Sequence, residues 1–121
     1  MPRFFPATVA ELSRMQLFAG LPGEQLKLIA QRMDREEVPP GHAVVREGES
    51  GERFYIVLSG LFAVSQQELG PRRVLQPGDY FGEVALAMNV PRTASVRALT
   101  PAVVASCDQE AFDELLRPLF T

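Results

Sequence analysis

The residues able to do chemistry concentrate between Phe81 and Ala94, in the run Phe81-Gly82-Glu83-Val84-Ala85-Leu86-Ala87-Met88-Asn89-Val90-Pro91-Arg92-Thr93-Ala94. Gly82 can take backbone angles closed to other residues and lets a backbone approach a ligand closely. Glu83 to Met88 are mostly good helix formers, so a short helix is expected there. The first N–H groups of such a helix have no partner within it, and with the macrodipole they favour an anion. Pro91 stiffens the chain just before Arg92, whose planar fork of donors suits two phosphate oxygens at once. With the Thr93 hydroxyl beside it, the set forms a cradle for one phosphate. Glu83 has the wrong charge to ligate that phosphate but can accept from a sugar hydroxyl next to it. A ligand that offers both groups is a nucleotide. Taken singly, Glu83 could instead complement its own helix dipole, and Arg92 could be a solvated loop arginine.

At these residues the stretch resembles the phosphate-binding cassette of the cyclic nucleotide-binding domain family. That family includes regulatory subunits of cyclic-AMP-dependent kinase, the bacterial catabolite activator protein and cyclic-nucleotide-gated channels. Its pattern, Phe-Gly-Glu-aliphatic-Ala-Leu and then Pro-Arg-(Ala/Thr/Ser)-Ala, is matched without a gap by Phe81 to Leu86 and Pro91 to Ala94. The resemblance implies that Glu83 and the Gly82 backbone hold the ribose 2′-hydroxyl. It implies that Arg92, with the Ala85 and Thr93 backbone N–H groups, holds the cyclic phosphate. The implied ligand is cAMP, with cGMP second, and no cofactor or metal is implied. Thr at position 93 is linked in the family with tolerance of cGMP. Phe81, Val84, Leu86 and Ala94 are expected to line the pocket, with Val74 or Leu75 beside the base. Arg92→Ala is expected to cost roughly 2–4 kcal/mol of binding while leaving the unliganded fold as stable as before.

The rest of the composition excludes several alternatives. The chain has 121 residues, 46% hydrophobic and 22% charged, with net charge −3. That fits one soluble globular domain covering 1–121. A mildly acidic chain without a basic run is a poor partner for nucleic acid or an anionic membrane. Nothing approaches the ~18 apolar residues of a membrane span. The opening Met1-Pro2-Arg3-Phe4-Phe5-Pro6 is too short and Pro-broken for a signal peptide. The single Cys107 forms no disulfide within the chain and fits a reducing, cytoplasmic setting. An enzyme is not expected. The one histidine, His42, lies in a Pro-Gly turn, whereas metal sites on β-rolls take several. Cys107 lies in an apolar run with no histidine to activate it, and no Walker-type loop occurs.

The elements that must position the cassette follow from turn signals and periodicity. Two helices are expected over 8–35. The first has a capping box at Thr8 and Glu11 and runs to about Gln16. The second starts with Pro22 at its first position, and Leu26, Ile29, Ala30 and Met33 form its apolar side. Over 36–107, Pro39-Pro40-Gly41, Glu47-Gly48, Ser59-Gly60, Gly70-Pro71 and Pro77-Gly78 punctuate short β-rich runs at 43–45, 54–58, 61–64, 73–75, 95–99 and 103–107. The pattern reads as a sandwich or barrel. Arg46, Arg53, Arg72, Arg73 and Arg97 read as solvated positions. Asp108 caps a final helix over 108–120 that Pro118 ends or kinks. The family resemblance spans about Leu17 to Leu116. It implies a mainly β fold: an eight-stranded β-roll (jelly roll) with N-terminal helices, a cassette helix and a C-terminal helix. The N-terminal helices would pass ligand occupancy to an effector domain or subunit outside this chain, and oligomers are possible. In the family a further lid helix covers the base. The chain stops at Thr121 without one, so it is a piece, or leaves the base open, or has it covered by another chain. A module of this fold without nucleotide is the alternative.

Overall fold

The computed structural model describes residues 5–67, 70–83 and 91–120. Its organisation follows from how strand β4 (Arg53–Ser59) divides its side chains. Phe54, Tyr55, Ile56 and Val57 are all buried, but alternate residues of a strand point to opposite faces. Phe54 and Ile56 join a core with Leu12, Phe18, Ile29, Met33, Phe112 and Leu116 of the helical segments. Tyr55 and Val57 join a second core with Phe62, Leu75, Phe81, Val96 and Val104 inside the roll. Strand β9 (Ala102–Asp108) splits the same way, Ala105 and Cys107 toward the helices, Ala102 and Val104 into the roll. One sheet is therefore apolar on both faces.

Nine strands lie among the described residues, in two antiparallel sheets. The two-sided sheet has the order β1-β2-β9-β4-β7 and includes β1 (Phe5–Pro6), β2 (Asp34–Val38) and β7 (Tyr80–Phe81). The facing sheet has the order β3-β8-β5-β6, from β3 (Ala43–Val45), β8 (Ser95–Ala98), β5 (Phe62–Gln66) and β6 (Gly70–Leu75). The mainly β roll flanked by helices is the observed architecture. Among the described residues no helix is long and apolar enough to cross a membrane.

On the outer face, α1 (Val9–Ser13) begins at Thr8 with the expected capping box. It ends three residues before Gln16, because Met15 is extended. That bend lets Met15 and then Phe18, in a 3₁₀ turn over Gln16–Phe18, both reach the core. Helix α2 (Gly23–Arg32) buries Leu26, Ile29 and Ala30, with Pro22 at the N-cap rather than the first helical position. Strand β2 was hidden in the sequence, since Asp34-Arg35-Glu36-Glu37 are poor strand formers. Pairing with β9 from Asp34↔Ser106 to Val38↔Ala102 overrides that preference. Near the C-terminus, Asp108 caps α3 (Gln109–Ala111), which widens to a π-turn over Phe112–Leu116 and tightens to 3₁₀ over Arg117–Phe120. Pro118 explains the change, because it has no amide hydrogen to give Glu114 and its ring crowds that carbonyl.

Gly60, between β4 and β5, has φ +80, and a Cβ there would lie 2.5 Å from Ala102 Cβ and 2.6 Å from Pro101 O. Gly41 has φ +84 and open space around it. Urea unfolding should therefore show Gly60→Ala losing about 3 kcal/mol and Gly41→Ala about 1 kcal/mol. Equal losses would mean that crowding at Gly60 relaxes freely.

Candidate functional site

Pro91 delivers the chain to Arg92, and Arg92 is then fixed from both backbone and side chain. Its N–H donates to Glu49 O at 2.8 Å, and its carbonyl accepts from Gly48 N–H at 2.9 Å. These two bonds tie it to the turn between β3 and β4. Its guanidinium donates from Nη1 to Gly82 O at 3.2 Å and from Nη2 to Arg53 O. Arg92 is consequently only 7% exposed. Gly82, at φ +97, makes this closeness possible, since a Cβ there would lie 2.7 Å from Arg92 Nη1 and 2.8 Å from Arg53 O. The close approach expected at Gly82 is made here by the arginine itself.

Arg92 forms one wall of a cleft of about 150 Å³. Val45, Val64 and Val96 supply its apolar floor, and Tyr80, Phe81, Gly82, Glu83, Thr93 and Ala94 its rim. Burial is the main influence on the Arg92 guanidinium and pushes its pKa down, against the fields of Tyr55 and Glu83. Among the described residues its hydrogen-bond partners are neutral carbonyls. A buried cation with neutral partners is a strong anion receptor, because an anion would offset the cost of its desolvation.

Residues 35–118 match the family described as the cyclic nucleotide-binding domain. The chain belongs to that family. It is 38% identical over 116 residues to a cGMP-dependent protein kinase of Caenorhabditis briggsae, covering 91% of this chain and 16% of the kinase. It is 37% identical over 107 residues to the cAMP-dependent protein kinase regulatory subunit of Debaryomyces hansenii, covering 88% of this chain and 24% of that subunit. Among solved structures, cAMP-bound PfPKA-R superposes with a TM-score of 0.87 at 28% identity, over 92% of this chain and 39% of that one. The chain thus spans a quarter or less of these curated relatives.

Within this cyclic nucleotide-binding domain, Gly82, Glu83, Arg92 and Thr93, expected from the sequence to act together, border one cleft, as do Phe81 and Ala94. Val84, Ala85 and Leu86 lie outside the described residues. Neither Val74 nor Leu75, expected beside the base, borders this cleft. Val74 points outward and is half exposed, whereas Leu75 is fully buried in the roll core. The cleft is reached instead by Arg73, two residues before Leu75 and on the same face of β6, opposite Val64 in β5. Period-two alternation from the turn at Pro77-Gly78 carried that signal. Two of the arginines expected at solvated positions also make hydrogen bonds. Arg53 donates to Ser106 Oγ and Asp34, and Arg97 to Gly41 O. The support given by Gly48, Glu49 and the Arg53 carbonyl had no sequence signal beyond the turn expected at Glu47-Gly48. His42 is exposed in its turn, away from this cleft.

The stability expectation for Arg92 is also corrected. A side chain that ties the Gly82 turn to β4 is part of the fold, and truncating it leaves the Gly82 and Arg53 carbonyls without this donor. Arg92→Ala should lower the unfolding free energy of the unliganded protein by about 2 kcal/mol, read as a lower melting temperature. An unchanged melting temperature would show these bonds to be energetically idle. Cys107 offers an independent check on burial. It is 1% exposed, and burial pushes its thiol up from 9.0 to about 12. The folded state holds the proton more tightly than the unfolded state, so stability should fall as pH rises from about 9 toward about 12. Native protein at pH 8 should accordingly resist iodoacetamide until denaturant is added.

Proposed function

We propose that residues 1–121 act as one non-catalytic sensor domain that binds a cyclic nucleotide, cAMP first and cGMP second, in a cytoplasmic setting. The observation that carries this is the buried guanidinium of Arg92 beside Gly82 and Glu83 in the cleft of a cyclic nucleotide-binding domain. Arg92 would take the cyclic phosphate, with the Ala85 and Thr93 N–H groups beside it. Glu83 and the Gly82 backbone would hold the ribose hydroxyl. Val45, Val64 and Val96 offer an apolar surface to the sugar and base edge. Thr93 and Arg73 stand where they can meet the base, and an arginine suits the adjacent O6 and N7 acceptors of guanine. The domain would hand occupancy to an effector domain or subunit beyond this chain. Tyr80 borders the cleft and makes ring contacts with Phe54 and Phe120, and both of these touch Phe112. A ligand that favours one position of Tyr80 would bias the C-terminal turns through shared contacts, as a population shift.

A second reading, a structural or interaction module that binds no nucleotide, is favoured by one observation. The bonds from Arg92 to Gly82 O and Arg53 O give that arginine a use without any phosphate. Calorimetric titration with cAMP and cGMP separates the two. Wild-type binding should be lost by roughly 2–4 kcal/mol in Arg92→Ala and by about 1 kcal/mol in Glu83→Ala, which removes a contact to a neutral hydroxyl. Arg73→Ala should shift the ratio of the two affinities toward cAMP. No heat with either nucleotide at protein concentrations that reveal micromolar binding would leave the module reading.

A further inference from the structure

Tyr55 lies just behind the cleft, does not border it, and is 9% exposed. Its ring stacks nearly parallel on Phe81, with centroids 4.9 Å apart and planes 7° from parallel. The two residues are also direct partners across β4 and β7. The Arg92 guanidinium lies over the Tyr55 ring, with its central carbon 6.0 Å from the centroid. Two carbonyls hold the guanidinium by its edges. Both bonds lie near the guanidinium plane, so a contact on its face adds a restraint that they do not supply. A ring face restricts the guanidinium's tilt, because the π cloud attracts a cation while its surface excludes the rest of the side chain. Together with Phe81, which leads directly into Gly82, Tyr55 links the arginine and the glycine turn to one rigid support.

We infer that Tyr55 is a positioning residue for nucleotide binding, aiming the Arg92 guanidinium into the cleft through its ring face. This rests on the nucleotide-binding reading above. It differs from plain core packing in one measurable respect. Packing depends on the ring's shape and on its stack with Phe81, whereas aiming Arg92 depends on the negative charge of the ring face. Fluorination separates the two. It strips electron density from the face and weakens attraction to a cation, yet it strengthens stacking on an unsubstituted ring such as Phe81.

The experiment compares wild type, Tyr55→Phe, and mono-, tri- and pentafluorophenylalanine incorporated at position 55, each titrated with cAMP and followed by thermal unfolding. Tyr55→Phe should bind within twofold of wild type. Affinity should then fall stepwise with fluorine number, to about fivefold weaker for the pentafluoro ring. Over the same series the melting temperature should hold or rise. Affinity that stays flat, or that follows the melting temperature, overturns the positioning role and leaves Tyr55 as packing alone. Failure of the wild-type protein to bind at all would instead overturn the nucleotide reading, and this inference with it.

Discussion

The fold converges on a charge placed where water hardly reaches it. Arg92 sits at the seam between the two sheets, its backbone bonded to the β3–β4 turn and its side chain to carbonyls from β4 and from the Gly82 turn. Burying a cation is costly, and neutral carbonyls offset only part of that cost. The arrangement therefore does two things at once. It locks three segments together, and it leaves a desolvated positive group facing a cleft. The same low dielectric that makes the group costly strengthens its attraction for an anion.

That seam holds because the sheet containing β4 and β9 is apolar on both faces. Its inner face closes the roll against β5, β6 and β8, which keeps the cleft floor of valines in place. Its outer face carries the helices, so that Phe54 and Ile56 are shared with Phe112, Leu116 and Ile29. A protein interior is packed too densely for one face to move independently of the other. Tyr80 and Phe81 illustrate the division within two residues. Tyr80 meets the aromatic cluster on the helical side, and Phe81 stacks on Tyr55 within the roll. The cleft therefore lies on one side of a thin sheet and the terminal helical turns on the other.

Much of this was legible in the residues. Capping chemistry at Thr8 and Asp108 is local, since each side chain meets amides three residues away, and both caps are present. Glycine and proline marked most of the turns, because the conformations required there are available to few other residues. The grouping of Gly82, Glu83, Arg92 and Thr93 followed from types and spacing within a short run. Strand β2 was not legible, because its first four residues have little intrinsic preference for extension and are held by pairing with β9 across about seventy residues of sequence.

The sequence by itself determined the alternation of turns and apolar runs, the helix caps and the chemical character of the cassette. All of these depend on side chains within a few positions of one another. Alternation along β6 puts Arg73 and Leu75 on one face, and tertiary structure decided that Arg73 borders the cleft while Leu75 fills the roll core. Tertiary structure alone decided that Arg92 ties separate segments together and that its guanidinium lies over the Tyr55 ring. Such roles arise where strands distant in the chain meet, and no local preference of the chain encodes which residues will be opposite one another.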